Sequence, residues 1–174
     1  MRIESAGALA LIVGTLALVV VMALHPSGVP HGDVGQIAHT LRLGVIVHAI
    51  AIATAPLLTF GAFALTRSIG FANPVASLAF FSYLFGALAV MLAAAMSGLV
   101  APRLIEALAA AGDTERSLIH GLLRLEWYMN QAFATLHTAL FSGAIALWAL
   151  AWPGKGVLVA AIQLLGLAVG VGVF

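Results

Sequence analysis

His48 and His137 are imidazoles set inside long apolar runs, and Glu126 and Asn130 precede His137 within the same run. At 100° per residue, Asn130 falls about 40° and His137 about 20° from Glu126, so the three share one stripe of a helix. Ionisable side chains at membrane depth are costly, and by default they mark ligand sites or proton routes. Neutral imidazole is the commonest metal ligand and a usual axial ligand of haem, and a nearby carboxylate or amide can orient it. The chemistry expected is therefore a haem or transition-metal site with His48 and His137 as ligands. Glu126 and Asn130 would form its supporting shell or a proton relay. The plainer alternative is that these groups only tie neighbouring helices together, through hydrogen bonds worth about 0.6 to 2 kcal/mol each.

Four further histidines, His25, His31, His39 and His120, fall in the polar stretches between apolar runs. Their spacings match no compact zinc pattern, so they are weaker metal candidates and read first as solvated or headgroup-facing residues. A single haem bridging His48 and His137 needs its two axial nitrogens about 4 Å apart. The sequence places the two side chains at depths differing by about 6 Å. Tilt, or a kink at Pro56, would have to absorb that difference. Met91 and Met96 could add soft copper ligands, but about 140° separates them on the helical wheel, which ranks copper below haem.

The elements that position these residues follow from composition. Of 174 residues, 63% are hydrophobic and 7% charged, against roughly a quarter charged in an ordinary soluble domain. The expected fold is an all-α integral membrane protein, one transmembrane domain over residues 1–174, with about five spans, short loops and one longer amphipathic loop segment. The spans are placed at about 6–24, 41–66, 75–101, 125–152 and 157–174, bounded by His25-Pro26, Arg67, Pro102-Arg103 and Trp152-Pro153-Gly154. Gly112 is read as a stop and Asp113 as the cap of the fourth helix. The first run is too long for a signal-peptide core and is kept as a permanent span. The last run ends at Phe174 with no polar anchor, as in a truncated chain or one with a further span. Trp127-Tyr128 and Trp148, about 31 Å apart along a helix, read as two aromatic belts. On that ruler Glu126 sits at an interface and His137 lies about 15 Å deep.

The net charge of +1 and the absence of cysteine exclude a basic nucleic-acid face, disulfides and thiolate chemistry. No catalytic or nucleotide-binding motif is present, so a classical enzyme is disfavoured. The small-residue pairs Ala10/Gly14 and Gly166/Gly170 suit close helix contacts with this chain, a second copy or another membrane protein. Arg2, Arg67 and Lys155 on one side, against Arg42, Arg103, Arg116 and Arg124 on the other, favour a cytoplasmic N-terminus in a bacterial-type inner membrane, because the first set lies in short segments. Three functional readings follow: a metal- or haem-binding component of electron or metal transfer, a non-catalytic accessory or assembly subunit, and a proton or small-solute pathway.

Overall fold

The fold was obtained as a computed structural model and is described for residues 2–26, 34–154 and 156–171. His31 lies outside these residues. The chain is an all-α bundle of the membrane class, with helices α1 (Ile3–Leu24), α2 (Val34–Ile69), α3 (Pro74–Ala95), α4 (Ala101–Ala110), α5 (Asp113–Ala151) and α6 (Val157–Val171). A π-helical turn, Met96–Val100, joins α3 to α4. Among the described residues, four helical stretches are long and apolar enough to cross a bilayer: Ile3–Leu24, Gln36–Ile69, Pro74–Ala110 and Asp113–Ala151. A lipid environment also explains the apolar side chains on the outer surface, among them Ile12, Leu16, Val20 and Phe85, which no soluble protein would leave bare in such numbers.

Local chemistry sets the helix ends. Gly70 closes α2 with a positive φ of 111°, and its N–H donates to Thr66 O at 2.8 Å. Asn73 then caps α3, its Oδ1 accepting from Val75 N at 2.9 Å and Ala76 N at 3.3 Å, with Pro74 in the first turn. At the start of α5 the cap is Gly112, and Asp113 is already helical. The Asp113 and Glu115 carboxylates act there through the positive helix terminus rather than through a cap hydrogen bond.

Helices α2 and α5 exceed the spans expected from the sequence. At 36 and 39 residues they are about 54 and 58 Å long, against about 30 Å of hydrocarbon. Their N-terminal segments, on the side of the bundle at which α1 ends, carry His39 and His120, both exposed. The polar stretch before the fourth expected span is therefore α4 followed by the first turns of α5. Nor does helix stop at Pro102. The Ala101 N–H reaches back to Met96 O, so the ladder has already slipped by one residue when the proline, which has no N–H, enters the first turn of α4.

Packing runs in the order α1, α2, α3, α5, α6. Small residues make it tight. A Cβ at Gly7 would overlap Ala64, one at Gly14 would lie 2.6 Å from Leu58 Cδ2, and one at Gly166 would lie 2.7 Å from Ala149 Cβ. Gly7 and Gly14 of α1 and Gly166 of α6 thus meet helices of the same chain. The central cluster is Ala62, Ala79, Tyr83, Ala144 and Trp148. Trp148, expected in an aromatic belt, is 8% exposed and donates Nε1–H to Thr66 Oγ1 at 2.9 Å. The alanines leave a slot for the indole and a buried hydroxyl satisfies its one donor, so it packs inward. Trp127 and Tyr128 are exposed, as lipid-facing aromatics are.

Candidate functional site: a paired imidazole at the end of the first helix

His48 stands fourteen residues into α2 and is half-buried. Its Nδ1 lies 2.7 Å from Gly44 O, one turn earlier. A carbonyl can only accept, so Nδ1 carries the ring hydrogen and the neutral ring presents an unprotonated Nε2. That lone pair points at His25, whose Nε2 is 3.3 Å away, with the ring centroids 4.9 Å apart and the planes at 70°. His25 caps α1 in an extended conformation, and Pro26 prevents continuation. The end of α1 is thereby turned so that an exposed imidazole faces a half-buried one.

The π turn forms the other side of this site. A Cβ at Gly98 would overlap His48 Cβ and would lie 2.7 Å from Cγ and 3.2 Å from Nδ1. Only glycine lets the backbone lie flat against the imidazole. Single π turns in α-helices frequently mark functional sites, and here the turn seats the His48 imidazole. His25 and Gly98, far apart in the sequence, thus meet at His48.

His137 has a different environment. Its Nδ1 lies 3.0 Å from Gly86 O on α3, and its ring packs at 5.2 Å against Phe141. It lines a cavity of about 350 Å³ enclosed by α1, α2, α3 and α5, whose wall does not include His48. Each of the two imidazoles expected to share a ligand is therefore turned to a partner of its own: His48 to His25, and His137 to Gly86.

Glu126 is 8% exposed, and its Oε1 is buried without a hydrogen-bond partner. Tyr83 packs on Phe141 and Trp148, and Gly86 lies against His137 and Leu140, so α3 and α5 run antiparallel. Continuing that register about 18 Å along α3 brings Gly98 level with the turn from Glu126 to Asn130. The π turn touches both α2 and α5, the helices that carry His48 and Glu126. Asn130 is partly exposed on the same stripe. Among the described residues no group of three or more histidine, aspartate or glutamate side chains converges on one point. The site is a pair of imidazoles with a separate buried carboxyl nearby.

Sequence reasoning ranked His25 among the weaker candidates because its zinc-type spacings fail. Its approach to His48 is tertiary, and the signal available was the His25-Pro26 helix stop, which fixes an imidazole at the mouth of the bundle. Neither a family model, nor a curated protein, nor a solved structure matches this chain.

Proposed function

We propose that this chain is a membrane-embedded binding protein for a first-row transition-metal ion, in which His25 and His48 supply the two protein ligands. The observation that carries the proposal is the 3.3 Å separation of the two Nε2 atoms. Two metal–imidazole bonds of about 2.0 to 2.1 Å subtend about 3.3 Å at a tetrahedral angle. Trans axial ligands of haem stand about 4 Å apart, so the pair suits a tetrahedral ion better than haem. The Gly44 carbonyl on His48 Nδ1–H is the outer partner that metal-ligating histidines commonly have, fixing both tautomer and ring orientation. Two protein ligands leave two positions for water or for donors on an incoming carrier. That favours metal transfer over a closed structural site or permanent electron-transfer centre.

Isothermal titration of the detergent-solubilised chain with Zn²⁺ tests this. One ion per chain is expected, with binding lost in His25→Ala and in His48→Ala and retained in His137→Phe. Equal binding by wild type and the two alanine variants would overturn it. On the arginine and lysine distribution, we place the N-terminus in the cytoplasm and the imidazole pair at the outer face of a bacterial-type inner membrane.

A second reading rests on Glu126. A buried carboxyl with an unpartnered oxygen also suits a proton route in which His25 Nε2–H donates to His48 Nε2. Proton flux in liposomes that survives Glu126→Gln and His48→Ala would remove it. The accessory-subunit reading keeps its motives of short loops and no catalytic motif, but Gly14 and Gly166 pack within the chain rather than on a partner.

A further inference from the structure

The cavity beside His137 is distinct from the imidazole pair and has a chemistry of its own. Its volume of about 350 Å³ lies within the usual range for small-molecule sites, which are largely apolar with a few fixed polar groups. Thr15 and Leu18 of α1 form one end of the wall; Tyr83, His137 and Phe141 lie at another part of it. The Tyr83 and Phe141 rings pack at a tilt with centroids 5.3 Å apart, and His137 lies 5.2 Å from Phe141, so this part is aromatic. No lining residue carries a formal charge other than what the imidazole can take up. Anionic ligands, and haem with its propionates, therefore lack a counterion.

The tautomer of His137 narrows the ligand further. Gly86 O can only accept, so Nδ1 bears the hydrogen, and Nε2 is left as a lone pair with no hydrogen of its own. A ligand satisfying that atom must donate. An apolar molecule with an aromatic ring and one hydroxyl matches every part of the wall: ring against Tyr83 and Phe141, hydroxyl on Nε2, tail among aliphatic side chains. We propose that the cavity binds a lipid-soluble phenol or quinol through a hydrogen bond from its hydroxyl to His137 Nε2. A simple acyl chain would fill the space but leave the nitrogen unmet.

The test compares 4-decylphenol with 4-decylanisole, its methyl ether, on the full chain in phosphatidylcholine nanodiscs. Retention is measured in excess of that by empty nanodiscs. The phenol is expected to bind at least about tenfold more tightly, the effect of one buried hydrogen bond. His137→Phe abolishes the preference while keeping an aromatic ring, and Ala87→Leu, which fills the cavity, weakens both probes. Equal affinity of phenol and anisole for the wild type overturns the proposal and assigns the space to lipid chains. A preference that survives in folded His137→Phe, or probe binding unchanged in folded Ala87→Leu, overturns it as well. The wild-type comparison needs no variant, so a variant that fails to fold leaves the proposal open to refutation.

Discussion

Replacing Gly98 by alanine adds one methyl group at the place where the π turn lies against His48. That methyl would overlap His48 Cβ and lie 2.7 Å from Cγ, neither of which is the free end of a flexible side chain. Overpacking of this kind costs about 1 to 3 kcal/mol, and because Cβ is bonded directly to the backbone and Cγ belongs to the rigid ring, the cost falls near the upper end. Alanine recovers up to about 1 kcal/mol of helix propensity. The net expectation is a loss of about 2 kcal/mol, with His48 displaced from Gly44 and from His25. Gly121→Ala is the matched control, because nothing lies within 4 Å of its Cβ position on exposed α5. It should gain up to about 1 kcal/mol. Reversible unfolding in mixed micelles, followed by circular dichroism, reads both values, and Zn²⁺ titration reads the site. Displacing one of two ligands should weaken zinc binding by more than about tenfold, equivalent to 1.4 kcal/mol. If Gly98→Ala matches Gly121→Ala in stability and the wild type in zinc affinity, the π turn does not seat His48 and the account of the site fails.

Other substitutions test separate parts of the structure. Thr66→Val leaves Trp148 Nε1–H buried without its acceptor and should cost about 1 to 3 kcal/mol. The double variant with Trp148→Phe should recover part of that loss, as a double-mutant cycle would show. Gly7→Val places a branched side chain against Ala64 and should open the α1–α2 seam, costing about 1 to 3 kcal/mol of stability, read as a lower midpoint of denaturation. Glu126→Met replaces a buried carboxyl having one unpartnered oxygen, and stability should stay level or rise. A loss of more than about 3 kcal/mol there would mean that the carboxyl has a structural partner.

The membrane class was legible because it depends on composition and run length, which tertiary contacts do not alter. The limits of helix were less so. Pro102 is a strong stop signal, but the π turn ahead of it shifts the hydrogen-bond register, a device that leaves no mark in hydropathy. Trp148 read as a belt residue because the sequence cannot reveal that Ala62, Ala79 and Ala144 come together to make room for it. In the candidate site, His48 could be singled out from its depth alone. Its partner could not, because the approach of His25 depends on how α1 meets α2, and Gly98 offers no chemistry until the imidazole it faces is known. The small-residue pairs were visible as contact surfaces, but sequence carries no information on whether such a surface meets its own chain or another.

Pulsed electron paramagnetic resonance of the chain loaded with one equivalent of Cu²⁺ tests the central claim most directly, because it counts coordinated imidazoles. Two are predicted in the wild type, fewer than two in each of His25→Ala and His48→Ala, and two again in His137→Phe. A wild-type spectrum without imidazole coupling, or one unchanged when His25 and His48 are both replaced, would contradict the assignment of these residues as a metal site.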